Sequence, residues 1–237
     1  MKYHYSQLVI CTTHQLIRFY HAFDLLIIDE VDAFPFVNNQ LLQMAVAKAR
    51  KRISSLLLLT ATPTKQLLTK IKQHKLVCGY LPLRFHGHLL PVPQIMTLPN
   101  WRRDLLRCQI DRRLFKILED WFKAGLPVLI FSPEIRLLVE IEKTVKKYFP
   151  QLAFSSVYAG DEKREQKVQT MRREKYQLLI TTTILERGVT FAKLNVVILG
   201  ADEQVFHEES LVQIAGRAGR SLKRPTGDVI FVCSMLN

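Results

Sequence analysis

Short runs of branched apolar residues alternate along the chain with segments in which apolar residues recur every three or four positions. The runs QLVIC (7–11), DLLIID (24–29) and SLLLLT (55–60) have the length and composition of buried strands. Helix-like segments lie between them. This alternation predicts βαβ units and a parallel sheet in the first part of the chain, to about residue 85.

The second part of the chain repeats this alternation. Apolar residues between Ile110 and Phe122 fall at spacings of three and four, which places one stripe along a helix that Gly125 ends. Further helices are predicted over 134–148 and 161–174. Five buried strands are predicted at PVLIFS (127–132), LAFSSVY (152–158), YQLLITT (176–182), NVVILG (195–200) and GDVIFVC (227–233).

The stretch HGHLLPVPQIMTLPNW (86–101) contains three prolines and has no helical or strand period. It is therefore predicted to be part of a linker over residues 86–105. The predicted fold class is α/β, with two parallel-sheet lobes in tandem at residues 1–85 and 106–237.

Charge suggests the kind of partner. Lys and Arg total 34 against 21 Asp and Glu, so the net charge is +13 and the sequence pI about 9.7. Such an excess is typical of a protein that binds a polyanion, although a solvated basic surface without a partner has the same composition.

Cysteine usage and hydropathy exclude other classes of protein. The four cysteines are widely spaced, without the CxxC pairs of a zinc site or the pattern of a disulfide framework. No apolar run reaches the length of a membrane span, and the first residues lack the apolar core of a signal peptide. A cytoplasmic location is expected.

Three acids follow a buried strand in LLIIDEVDAFPF (25–36). Carboxyl ends of parallel strands are where α/β proteins bind ligands, so Asp29, Glu30 and Asp32 are candidates for chemistry. Nucleotide hydrolysis needs one carboxylate for Mg²⁺ and another to activate water, and these roles are assigned to Asp29 and Glu30. The alternative is that these three acids have no chemical role and are only solvated residues at the end of a buried strand.

Small hydroxyl residues follow the next buried strand. Thr60, Ala61 and Thr62 are expected beside the acids at the same edge of the sheet, where they could relay hydrogen bonds. The same residues could instead form a turn that caps a helix beginning near Pro63.

Two glycine-spaced arginines occur in QIAGRAGR (213–220). Arg217 and Arg220 are three residues apart, hence on one face if the segment is helical, and guanidinium groups suit a transferring γ-phosphate. A solvated helix face is the alternative. In ITTTILERGVTF (180–191), the threonines Thr181 to Thr183 could bind a nucleic-acid backbone, although alone this signal is weak.

The order of these motifs resembles that of superfamily 2 helicases and translocases, from TTHQL (12–16) through DEVD, TATPT, VLIFSP and TTTILERGVTF to QIAGRAGR. More narrowly, DEVDAFPF and PTGDVIF (225–231) resemble the ComFA family of late-competence DNA-uptake ATPases. The resemblance implies two RecA-like lobes, the first incomplete, which use ATP and Mg²⁺ to move single-stranded DNA. It also implies partners in the competence machinery, at the inner face of the membrane.

The resemblance implies a role for each matching position. The nucleotide chemistry falls to Asp29, with its Mg²⁺, and to Glu30, Gln213, Arg217 and Arg220. The coupling of ATP hydrolysis to movement of the lobes falls to Asp32, Thr60, Ala61 and Thr62. Nucleic-acid contacts fall to Thr12, Thr13, Ser132, Thr181, Thr182 and Thr183. Further nucleotide contacts fall to Arg187, Gly188 and Thr190, although Thr190 replaces an acid that many relatives carry.

One expected motif is missing. Such motors cradle phosphates with a GxxxxGK[ST] loop before the acidic box, but the first glycine is Gly79 and no Gly-Lys dipeptide occurs. A cysteine-rich metal module is also missing. We therefore expect a carboxyl-terminal portion of a longer motor that hydrolyses ATP poorly or not at all alone. The alternatives are a non-catalytic nucleic-acid-binding module and a primosome-type or recombination-type helicase of the same superfamily.

Overall fold

A computed structural model describes residues 6–81, 83–84, 87–186, 189–221 and 224–235. The chain divides into two compact units, Met1–Tyr80 and Leu81–Asn237, which are described separately below.

The first unit is built on two parallel strands, β1 (Phe23–Ile28) and β2 (Arg50–Leu58), which pair from Ile28 with Leu58 back to Leu25 with Ser55. Helix α1 (Gln40–Ala49) connects them, and helix α2 (Lys65–Lys72) follows β2. Side chains cap both helices, since Asn39 accepts a hydrogen bond from the Leu42 N–H and Thr64 accepts one from the Leu67 N–H.

One strand predicted in the first unit is not formed. Residues 7–11, the QLVIC run, are irregular, and Leu8 and Ile10 are exposed. A strand needs a hydrogen-bonded neighbour, and the sheet of the first unit, as far as the chain is described, contains only β1 and β2. A short 3₁₀ helix, Thr13–Arg18, follows this run and buries Leu16 against α1 and the sheet.

The second unit contains a six-stranded, wholly parallel sheet with the strand order β3-β8-β7-β4-β6-β5. Its strands are β3 (Gln94–Thr97), β4 (Val128–Phe131), β5 (Phe154–Val157), β6 (Leu178–Thr181), β7 (Asn195–Leu199) and β8 (Val229–Cys233). Its helices are α3 (Trp101–Leu106), α4 (Arg112–Lys123), α5 (Arg136–Tyr148), α6 (Arg164–Arg172) and α7 (Glu208–Ala215).

Helices cover both faces of this sheet, and a separate apolar core lies on each. One core joins α3, α4 and α5 to side chains such as Ile130 and Val197, and the other joins α6 and α7 to side chains such as Leu129 and Ile198. Strands buried on both faces are continuously apolar, which is why β4, β6 and β7 stand out in the sequence.

The segment predicted as a linker, residues 86–105, contributes to the second unit. Its residues Gln94–Thr97 form edge strand β3, paired with β8, and the helix that follows buries Trp101 and Leu105 in the core. Among the described residues, no helix is long and apolar enough to cross a bilayer.

Candidate functional site

The predicted acidic residues lie directly after β1. Asp29 is exposed and Glu30 half-buried, and the Glu30 N–H donates to Asp29 Oδ1 at 2.9 Å. Glu30 has a φ of 52°, in the left-handed region that non-glycine residues seldom adopt. Backbone strain of this kind is concentrated at functional sites, since the surrounding structure must compensate for it.

Asp32 joins the acidic residues to the threonines after β2. Its Oδ1 accepts a hydrogen bond from Thr60 Oγ1 at 2.6 Å, and its Oδ2 accepts one from Thr62 Oγ1 at 2.8 Å. Thr60 Oγ1 also accepts the Thr62 N–H at 3.0 Å. The structure therefore places the two motifs in direct contact at the carboxyl end of the β1–β2 pair. Ala61, between the threonines, is exposed.

In the second unit, a ligand site is expected where the strand order reverses. After β4 the chain places β5 and β6 on one side of β4, then β7 and β8 on the other, so the crevice lies at the carboxyl ends of β4 and β7. Ser132 follows β4 and Gly200 follows β7.

A charged cluster missed by the sequence analysis occupies this point. Arg102 Nη2 donates to Glu203 Oε2 at 2.6 Å and to Glu134 Oε1 at 2.7 Å, so one guanidinium joins the loops after β4 and β7. These hydrogen bonds raise the pKa of Arg102, and the bond that Arg102 donates to Glu203 is the larger cause. The bonds from Arg136 and Arg102 lower the pKa of Glu134. Only the fold brings these residues together, because Arg102 is 101 positions from Glu203.

Gly200 makes this cluster possible. Its φ is +66°, and a Cβ at this position would lie 2.6 Å from Glu203 Oε1 and 2.8 Å from Trp101 Cζ2. A larger residue would therefore be strained and would displace the cluster.

The hydroxyl residues assigned to the nucleic-acid backbone differ in burial. Thr12 is exposed and Thr13 half-buried in the first unit. Ser132 and Thr181 are fully buried, and their hydroxyls donate to the carbonyls of Glu134 and Thr182. Thr182 is also buried, whereas Thr183 is half-buried and Thr190 is exposed. Arg187 and Gly188 lie outside the described residues.

The two arginines of QIAGRAGR are not on one helix face. Helix α7 ends at Ala215, and residues 216–219 form a turn, because Gly219 adopts a φ of +65° and packs directly on Pro225 and Thr226. A Cβ on Gly219 would lie 2.5 Å from the Pro225 carbonyl oxygen. Gln213 is half-buried on the last turn of the helix.

Arg217 is buried and bonded to the backbone. Its Nε donates to the Glu186 carbonyl at 3.0 Å, and its terminal nitrogens donate to the carbonyls of Glu186 and Val189. Only 3% of Arg217 is exposed, so this guanidinium holds the backbone at Glu186 and Val189 from inside the second unit. Arg220 is half-buried, and its Nε donates to the Gly216 carbonyl at 2.8 Å.

Arg84, a residue that the sequence analysis did not select, lies against the same turn. It donates to the carbonyls of Ala218 at 2.7 Å and Gly219 at 3.1 Å. Burial, and secondly the charge of Arg220, lower the pKa of Arg84. Two guanidinium groups thus repel each other beside the turn, and an anion bound there would be stabilised by both.

Comparison with known proteins gives a family model, sequence relatives and structural relatives. Residues 111–221 match the helicase conserved C-terminal domain. Competence protein ComFA of Streptococcus pneumoniae is 41% identical over 99% of this chain and 54% of its own length. ComFA of Bacillus subtilis is 45% identical over 95% of this chain and 48% of its own length. The chain spans about half the length of these two relatives.

Among solved structures, S. cerevisiae Dbp5 bound to RNA and ADP BeF3 matches with a TM-score of 0.62 and 18% identity, over 93% of this chain and 57% of that one. At this identity the likeness shows the fold alone, a RecA-like α/β fold. The sequence comparisons show that the chain carries the helicase conserved C-terminal domain at residues 111–221 and is similar over nearly its whole length to the competence protein ComFA.

Proposed function

We propose that the chain forms most of the motor of an ATP-dependent single-stranded DNA translocase that acts in DNA uptake during competence. The observation that carries this proposal is the contact of Asp32 with Thr60 and Thr62. This contact joins the end of β1, which carries an acidic pair suited to nucleotide hydrolysis, to the end of β2. A change at the acidic pair could therefore be passed to the segment after β2.

Asp29 and Glu30 are proposed to carry the nucleotide chemistry. The exposed Asp29 carboxylate fits Mg²⁺, which keeps most of its water and takes one or two carboxylates besides phosphate oxygens. When bound with ATP, Mg²⁺ neutralises charge on the phosphates. Glu30, which the strained backbone holds beside Asp29, accepts the proton of the attacking water.

In the second unit, Arg220 and Gln213 are proposed to bind the γ-phosphate, and Thr190 with Arg187 and Gly188 the rest of the nucleotide. Arg84 supports this assignment, since it brings a second positive charge to the turn that holds Arg220. For Arg217 the contacts favour a positioning role at Glu186 and Val189, and any direct phosphate contact would require these carbonyl bonds to break.

Contacts with the DNA strand are proposed for the exposed hydroxyl of Thr12 and the half-buried Thr13 and Thr183. Ser132, Thr181 and Thr182 are buried, so their contribution is proposed to be through main-chain groups. The net charge of +13 supports a phosphate-rich partner. Binding to competence proteins at the membrane is proposed from the relatives alone.

A second candidate is a nucleic-acid-binding module without catalysis. The 237 residues contain no GxxxxGK[ST] loop, and without such a loop the β- and γ-phosphates lack their main-chain cradle. We therefore propose that these residues alone hydrolyse ATP poorly or not at all, while still binding single-stranded DNA.

Two assays on the 237-residue chain test these proposals. The affinity for a single-stranded oligonucleotide should fall steeply with salt, because bound Lys and Arg release counterions from the phosphates. ATP hydrolysis should stay close to background with and without DNA. Robust turnover would overturn the proposed inactivity, and absence of salt-sensitive DNA binding would overturn the assigned substrate.

A further inference from the structure

Arg84 belongs to the segment that opens the second unit, shortly after Tyr80 ends the first. Its Nη1 donates to the carbonyls of Ala218 at 2.7 Å and Gly219 at 3.1 Å, and its Nη2 donates to the Gly216 carbonyl at 3.4 Å. The last carbonyls of a helix have no partner inside that helix. This one guanidinium therefore caps the end of α7 and holds the turn that follows it.

The backbone that carries Arg84 is itself hydrogen-bonded. The Arg84 N–H donates to the His88 carbonyl at 3.1 Å, and the Gly87 N–H donates to the Arg84 carbonyl at 2.8 Å. Leu90 touches the end of α7 as well, since a Cβ built on Gly216 would lie 3.5 Å from Leu90 Cδ2. The position of Arg84 is thus fixed by contacts that precede and accompany its bonds to the turn.

Arg220 depends on the same turn. It follows Gly219 directly, and its Nε donates to the Gly216 carbonyl at 2.8 Å. Arg84 and Arg220 share this carbonyl, whose two lone pairs can accept both donors. Because Arg84 also binds the carbonyls of the two residues before Arg220, it restrains both the backbone of Arg220 and the group on which its side chain rests.

The choice of an arginine for this task has an electrostatic cost. The charge of Arg220 contributes, after burial, to lowering the pKa of Arg84. A neutral donor could cap the turn without bringing a second positive charge beside Arg220. The pair of like charges becomes favourable when an anion lies next to it, because each guanidinium then gains an attraction that offsets their repulsion.

We propose that Arg84 is a positioning residue for the γ-phosphate, because it holds the turn after α7 so that the Arg220 guanidinium is in place before nucleotide binds. This inference rests on the proposed function, which assigns Arg220 to the γ-phosphate. Arg84 lies at the start of the second unit, so a displacement of this segment would also move the turn and Arg220.

Nitrogen-15 NMR of the arginine side chains tests this role in the 237-residue chain without nucleotide. The Arg220 Nε–H is hydrogen-bonded and should exchange slowly with water. Arg84→Met keeps the aliphatic stem and removes every donor, so this protection should be lost. Arg113→Met is the matched control, because Arg113 also donates to a carbonyl, that of Thr97 at 3.3 Å, and should leave the protection unchanged. Backbone amide spectra of both variants show whether the second unit is folded.

Binding of inorganic tripolyphosphate, the phosphate chain of ATP without its nucleoside, gives a second measurement. Calorimetry should show that Arg220→Ala and Arg84→Met each weaken this binding by roughly fivefold or more, the effect of losing one hydrogen bond. Arg84→Lys keeps the positive charge but loses the planar fork, so it should restore only part of the affinity. Full restoration by lysine would assign the effect to charge alone and overturn the positioning role.

The outcomes separate this inference from the proposed function. If tripolyphosphate binding depends on Arg220 but Arg84→Met changes neither the affinity nor the exchange of the Arg220 Nε–H, the positioning role is wrong and the assignment of Arg220 stands. If Arg84→Met releases the Nε–H but Arg220→Ala binds tripolyphosphate as the parent does, the γ-phosphate assignment of Arg220 is wrong and this inference falls with it.

Discussion

The Asp32 carboxylate lies 2.6 Å from Thr60 Oγ1, 28 positions further along the chain. Together with the 2.8 Å bond from Thr62, this contact links the segments that follow β1 and β2 at the carboxyl end of the first unit's sheet. It gives Asp32 a role distinct from that of Asp29 and Glu30, because both of its oxygens are hydrogen-bonded to the neighbouring motif.

Replacement of Asp32 should destabilise the first unit. Hydrogen bonds to a charged group contribute about 1.5–3 kcal/mol, so Asp32→Ala should lower the free energy of unfolding by that order. Urea unfolding measures the change. Asp24→Ala is the control, since Asp24 pairs with Lys51 in solvent and its removal should cost less than about 0.5 kcal/mol. Equal losses in the two variants would contradict the structural role of Asp32.

Arg217 should matter for stability before it matters for catalysis. Arg217→Ala would remove the part-buried hydrogen bonds that the guanidinium donates to the carbonyls of Glu186 and Val189, at a cost of about 1–3 kcal/mol. Arg136→Ala is a suitable comparison, because that side chain is 78% exposed. Equal midpoints of thermal unfolding of the second unit in the two variants would refute the structural role assigned to Arg217.

Gly200 should not tolerate a side chain. Gly200→Ala places a Cβ within 2.8 Å of Trp101 and closer still to Glu203, at a φ of +66°, so we expect destabilisation by about 1–3 kcal/mol. Gly160→Ala provides the control, because its nearest neighbour would be a Tyr158 ring carbon at 3.4 Å. That variant should keep or slightly raise the midpoint of urea unfolding. Similar midpoints for the two alanine variants would contradict the packing described at Gly200.

Asp161 should make stability depend on pH in the acid range. Lys167 Nζ donates to Asp161 Oδ2 at 2.7 Å, and this bond is the main cause that lowers the pKa of Asp161 below its ordinary value of 3.8. A carboxylate with a depressed pKa stabilises the fold above its unfolded pKa, and this contribution is lost as the pH falls through the folded value.

Unfolding experiments from neutral pH downwards measure that contribution. Asp161→Asn should be less stable than the parent at neutral pH, and the difference should shrink as the pH falls below 3.8. If the difference in unfolding free energy between Asp161→Asn and the parent stays constant over this range, the ion pair with Lys167 is not its cause.

Several parts of the fold follow from local sequence. The uninterrupted apolar runs of β4, β6 and β7 identify strands buried on both faces, and the stripe from Leu114 to Trp121 identifies α4. Edge strand β3 is short and flanked by prolines, so its pairing with β8 decides its conformation. The QLVIC run shows the reverse case, an apolar run with strand composition that is irregular in the structure.

The candidate site also contains some residues that the sequence predicts and others that only the fold brings together. Asp29, Glu30 and Asp32 could be found because they follow a recognisable strand. The cluster of Arg102, Glu134 and Glu203 could not be found from the sequence, because its members are far apart along the chain and belong to no recognisable motif. The turn at Gly219 was missed because its conformation depends on contacts with Pro225 and Thr226.

The most direct test of the proposed function is the DNA-stimulated ATPase rate of a fusion that joins the amino-terminal part of a ComFA relative to this chain, with and without Glu30→Gln. The substitution keeps the shape of the side chain and removes its ability to accept a proton. We expect stimulated hydrolysis in the parent fusion, loss of that hydrolysis in Glu30→Gln, and unchanged affinity for single-stranded DNA. Equal ATPase rates in the two proteins would contradict the role assigned to Glu30 and with it the proposed motor.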